Sequence, residues 1–242
     1  MLRRRPVGSD PGPAEGNVKT RPNLLAGEDL PAAPRQARSL RKQARLKAAG
    51  LAVLGKKGYE ATSIHEIAER AGLAVGGFYQ HFRSKRQLLV ALMDELLEGL
   101  SQVNLQPKAF ADVEAGLREL LSAAFSRDLK YLGAYRAWQE AILSDAALAR
   151  KDRQIHACTA NRVLRVFEYL QQLPGARPGA DLRALANVMD SFFWSLLAQA
   201  VRMPKVELDR WIDTSAHLIF HALFLDPTAK NAQRTRPSMP AR

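Results

Sequence analysis

Tyr79, Gln80 and His81 stand in a row between Phe78 and Phe82, so a phenol, a carboxamide and an imidazole sit beside two apolar anchors. Such side chains make directional hydrogen bonds to a partner's edges. Asp190 is a second candidate, a carboxylate inside Leu185–Leu197, which is apolar around most of its circumference. A buried carboxylate needs a partner, either a structural arginine (Arg162 and Arg165 are candidates) or a bound ligand. Cys158 is the only cysteine, which leaves a redox sensor or ordinary packing. His217 and His221 are four apart, a chelating spacing without an evident third ligand, and a subunit interface with Phe220 and Phe224 fits them better. No nucleophile is patterned with a base, and there is no glycine-rich phosphate loop and no dense ligand cluster. We therefore expect no catalytic residue, no cofactor and no metal.

The elements that must hold these groups are helices. Leu46, Ala49, Gly50, Val53 and Leu54 fall on one face of a helix that starts near Ser39 and stops before Gly58. Gly50 within that face implies close approach by another helix. Ser63-Ile64-His65-Glu66 has the capping-box form, and Ile64, Ile67, Ala68 and Ala71 give that helix its apolar face. After Gly72-Leu73-Ala74 a short helix runs from Val75 to His81, with Tyr79, Gln80 and His81 expected to face outward. Ser84 caps a fourth helix. Further helices are expected near 109–127, 131–144, 145–173, 181–202 and 206–225, and no stretch alternates like a strand. The fold class is all-α with about nine helices. Two short helices joined by a tight glycine turn form a helix-turn-helix, whose second helix enters a DNA major groove.

The 242 residues carry a formal net charge of +12, with 47% hydrophobic residues. The basic excess lies mainly in the first fifty residues, while 51–104 is balanced. A polyanionic partner suits that distribution. Residues 1–36, rich in Pro, Gly, Ala and Arg, read as a disordered basic arm, 37–84 as the helix-turn-helix domain, 85–226 as a ligand-binding and dimerisation domain, and 227–242 as a disordered tail. Arg35, Arg38 and Arg41 are either minor-groove contacts or a solvated charged stretch. No apolar run approaches the length of a membrane span, and a single cysteine suits a reducing compartment, so the expected location is cytoplasmic.

The segment Gly58–Ile64, then Ile67–Leu73, Gly76–Phe82 and Ser84–Leu89 resembles the TetR family of bacterial regulators over about residues 39–95. The resemblance implies a sequence-specific transcriptional regulator, a repressor released by a small-molecule effector, that binds a palindromic double-stranded DNA operator as a homodimer through its last two helices. An activator of the same family and a non-specific architectural DNA binder are the alternatives. By position, Tyr79, His81 and Lys85 match phosphate contacts, while Val75, Gly76 and Gln80 face the bases. Gly77 replaces a common threonine, and Ala74 a common capping serine. The full DNA-facing set is Arg38, Arg41, Ser63, Val75, Gly76, Gly77, Tyr79, Gln80, His81 and Lys85. The effector-facing set is Tyr135, Trp138, Phe167, Asp190, Phe193 and Trp194.

Overall fold

The computed structural model describes residues 21–102, 112–128, 131–200 and 203–225. The expected tail at 227–242 and the first twenty residues of the expected arm lie outside them. Nine helices lie among the described residues, with no strand beyond an isolated bridge between Ala176 and Phe224. The helices are α1 (Ala37–Lys57), α2 (Ile64–Arg70), α3 (Val75–Tyr79), α4 (Lys85–Ser101), α5 (Val113–Asp128), α6 (Leu132–Ala141), α7 (Ala146–Leu170), α8 (Leu182–Ala200) and α9 (Lys205–Leu223). No helix among the described residues is long and apolar enough to cross a membrane.

The N-terminal three-helix unit is α1 to α3. Gly58, at φ 82°, ends α1 and closes on the Leu54 carbonyl, a left-handed conformation that a side chain would strain. The α2 capping box is formed: the Ser63 hydroxyl accepts from the Glu66 amide while the Glu66 carboxylate accepts from the Ser63 amide. Gly72, at φ 63°, makes the turn. Phe78, Phe82, Ile67 and Ala68 are buried against Leu46, Leu54 and Leu88. Fully burying a side chain of that size contributes about 1.5–3 kcal/mol. A Cβ on Gly50 would lie 2.7 Å from Leu88 Cδ2, so the glycine is where α4 leans on α1.

The remaining helices form a second body in which α7 packs on α8 and α5 on α9. Asp145 caps α7 by accepting from the amides of Ala147 and Leu148. The α7–α8 turn is tied to the end of α9, with the Arg177 amide donating to Leu223 O at 2.7 Å. The two bodies meet where α1 crosses α6. A Cβ added to Gly133 would lie 2.6 Å from Gly55 Cα and 2.7 Å from Leu51 O, so the backbones touch.

The expected disordered arm is corrected in its second half. Residues 21–36 precede α1 as a strap along α4. Leu24 is fully buried in the core, and its amide donates to Asp94 Oδ1 at 3.0 Å. Arg21 donates to Asp94 at 2.7 Å and to Glu98 at 2.5 Å. Further along, Arg86 donates to Glu28 at 2.6 Å, and both Arg83 and Gln87 donate to the Asp29 carbonyl at 2.8 Å. From α7, Lys151 donates to the carbonyls of Leu24 and Ala26 at 2.6 and 3.1 Å. A single buried leucine and a row of charged partners overcome a composition that favours disorder.

Candidate functional site

The helix after the Gly72 turn is one and a half turns long, and its sequence decides what it shows. Residues 78, 81 and 82 are separated by three and four, so they share a face. That face is buried: Phe78 is 0% exposed, Phe82 1% and His81 5%. The outward face carries Val75, Gly76, Tyr79 and Gln80, all exposed, with half of the Tyr79 surface accessible. Tyr79 stands edge-on to Phe78, ring centroids 5.7 Å apart, which steadies the phenol while leaving it outside. A Cβ on Gly76 would meet nothing within 4 Å, so backbone there is open to close approach by a partner. Gly77 is half-buried, and a Cβ on it would make ordinary contact with Leu73 at 3.5 Å.

His81 does not face outward as expected. Its Nε2 is buried and has no hydrogen-bond partner among the described residues, and burial together with the charge of Lys42 holds its pKa below the ordinary histidine value. The spacing from Phe78 was the overlooked signal. Lys85 is also engaged. Its ammonium donates to the carbonyls of Tyr59, Glu60 and Thr62 at 2.9, 3.1 and 3.2 Å and lies 4.6 Å from the centre of the Tyr59 ring. Three acceptors and a ring face occupy it, so it staples the α1–α2 loop to the start of α4. Ser63 is exposed, with its hydroxyl committed to Glu66.

The same loop is held from the second body. Glu140 on α6 accepts from the amides of Tyr59 at 2.6 Å and Glu60 at 3.1 Å. Sequence reasoning missed this contact, since Glu140 lies 81 residues from Tyr59 and has no local pattern. Arg38 and Arg41 are exposed near the start of α1. Arg45, also exposed, continues the line by one further turn. Its guanidinium comes within 3.7 Å of where a Gly72 Cβ would lie, placing a fixed positive charge at the turn. The spacing 38, 41, 45 is a helical stripe and was readable.

A cavity of about 140 Å³ lies between α5, α7, α8 and α9 beneath the end of α4. Of the six residues expected to face an effector, Phe167, Asp190 and Phe193 line it. Tyr135, Trp138 and Trp194 do not. Trp138 is fully buried and donates to Asp152 at 2.8 Å, while Tyr135 and Trp194 stack on each other at 4.9 Å. Packing between α6 and α8 claims those rings. Asp190 is paired, but with neither expected arginine: His156 Nδ1 lies 2.6 Å from Oδ2, and Oδ1 accepts from the Thr159 hydroxyl and from Trp194 Nε1. The pairing raises the His156 pKa above its ordinary value. Arg162 donates to Leu100 O at 2.5 Å. Cys158 is half-buried, and burial raises its thiol pKa, away from reactivity. His217 and His221 are in ring contact, and His217 pairs with Glu114 at 2.9 Å. No cluster of metal-ligating side chains exists among the described residues.

A three-helix unit with an exposed short third helix is joined by α4 and α6 to a helical body with a cavity, a helix-turn-helix on an all-helical body. Residues 46–92 match the family model described as bacterial regulatory proteins, tetR family, so the similarity lies in this N-terminal unit. It is 42% identical over 57 residues to the HTH-type transcriptional repressor KstR of Mycolicibacterium smegmatis, covering 24% of this chain and 28% of that protein. Alignments to the first curated relatives cover less than a third of their length. Across the whole fold it is similar to a TetR-family regulator from Mesorhizobium loti, with a TM-score of 0.56, 24% identity and coverage of 78% of this chain and all of that one. It is also similar to SmeT in complex with triclosan, with a TM-score of 0.61, 19% identity, and 83% and 98% coverage.

Proposed function

We propose that this chain is a sequence-specific, DNA-binding transcriptional repressor that works as a homodimer and leaves its operator when a small molecule occupies the helical body. The observation that carries this reading is the outward face of α3, where Val75, Gly76, Tyr79 and Gln80 stand exposed, with Arg45 of the exposed α1 arginine stripe at the Gly72 turn. Gln80 offers the bidentate amide that pairs with adenine, Val75 an apolar surface for a thymine methyl, and Tyr79 a phosphate donor. Arg38, Arg41 and Arg45 supply the charge that grips the backbone.

Two further features support the dimer and the effector. Val188 on α8 and Leu218 on α9 are each 58% exposed, an apolar surface that a second copy would cover. A two-fold dimer would present recognition helices to half-sites about 34–36 Å apart, or a multiple of that spacing. The cavity gives an effector a place to bind, and release requires that it favour the arrangement that cannot span both half-sites. A cytoplasmic location and no enzymatic role go with this reading. Selection from random duplexes should recover a near-palindrome, and footprinting should show two protected major-groove faces. Binding without sequence preference would overturn it.

A further inference from the structure

We infer that the cavity of the helical body takes an uncharged, largely apolar molecule of about single-ring size, and that Asp190 is not a counter-ion for a cationic ligand. This rests on the reading of the cavity as the effector site and names the class of its occupant.

The walls are Leu117, Leu121, Phe125, Val166, Phe167 and Phe193 together with their apolar neighbours. A volume of about 140 Å³ is close to that of an engineered apolar cavity of about 150 Å³ that accepts benzene. The polar groups reaching the lining are Thr159, Arg162, Asp190 and Ser215, and each already has a protein partner. The Asp190 carboxylate receives His156 at 2.6 Å on one oxygen, with the Thr159 hydroxyl and Trp194 Nε1 on the other. Ser215 donates to Trp211 O at 2.5 Å, and Arg162 to Leu100 O at 2.5 Å. A ligand ammonium could use Asp190 only by displacing His156, whose cation the carboxylate favours. A ligand carboxylate would lie beside the Asp190 carboxylate, a like charge that opposes it. Burying either charge without a full set of partners is strongly unfavourable, whereas an apolar ring loses nothing by leaving water.

The test uses the full chain and three probes of matched shape: toluene, benzoate and benzylammonium. Calorimetric titration and thermal shift should show toluene binding, with both ions weaker by roughly tenfold or more. Filling the space by Ala124→Phe on α5, or separately by Val163→Phe on α7, should remove toluene binding. Either substitution suffices if the other does not fold. Equal or tighter binding of either ion, no binding of all three probes, or toluene binding that survives both folded variants would overturn the inference. DNA affinity is measured separately. Toluene binding that leaves operator affinity unchanged would uphold the occupant class and overturn the effector role instead.

Discussion

Gly55 and Gly133 place the backbones of α1 and α6 in direct contact. Any side chain at 133 would have to occupy the space of Gly55 Cα and Leu51 O. In an exposed helix, Gly→Ala would stabilise by about 1 kcal/mol. Here Gly133→Ala should destabilise by about 1–3 kcal/mol, because the obstructing atoms are backbone and cannot rotate away. Urea unfolding of the variant decides the sign, and a gain in stability would show that the helices can part at little cost.

Lys85→Ala should act through stability rather than through charge count. Losing three hydrogen bonds from an ammonium to the 59–62 carbonyls should cost about 1.5–3 kcal/mol. The slope of log affinity against log salt should stay near the parent value. A slope reduced by about one unit would instead mean that the ammonium leaves those carbonyls for a phosphate.

Gln80→Ala should relax preference at one base step by about 1–3 kcal/mol, with overall salt dependence unchanged. A binding logo identical to that of the parent would remove Gln80 from the readers. Arg45→Ala should weaken binding to all sequences alike and lower the salt slope by about one, an effect visible in the same titrations.

Buried His81 and half-buried His156 should give opposite pH responses. His156 has a raised pKa in the folded state. Its contribution is therefore complete below the unfolded histidine value of about 6.5 and is lost as pH rises through the higher folded value. His81 has a lowered one, so acidification below about 6.5 protonates the unfolded chain first and weakens the fold. Replacing His81 with Asn should flatten the acid limb of the stability–pH curve. Replacing His156 with Asn should flatten the alkaline limb. Unchanged limbs would show that these groups titrate alike in both states.

Leu24→Ala should cost about 2–5 kcal/mol, the usual range for emptying a buried leucine site. Chemical denaturation measures it, and a change within about 0.5 kcal/mol would mean that the strap lies loosely on α4.

Most of the helical order was legible because its signals are local. The capping box at Ser63, the cap at Ser84, the glycine stop at 58 and the three-to-four spacing of Leu46, Ala49, Gly50 and Leu54 lie within a turn or two of what they specify. What escaped was non-local. The strap is held by residues 54 to 127 positions away, and nothing around Leu24 alternates or repeats. Asp190 drew attention to nearby arginines, yet its partner His156 lies on the same helix as Arg162, nearly two turns before it. His81 failed for a different reason. Its spacing from Phe78 was local and readable, but a polar side chain with an unpartnered ring nitrogen is a poor choice for a core, and composition argued for the wrong face.

The pair of amides that Glu140 receives makes the reading head a poor graft. A chimera cut between Ser84 and Lys85, joining residues 37–84 to another regulator's body, would leave the Tyr59 and Glu60 amides without their acceptor. It would also lose the lysine that gathers the same loop. Swapping specificity in this protein therefore calls for exchanging the outward side chains of α3 alone, with its own scaffold kept whole.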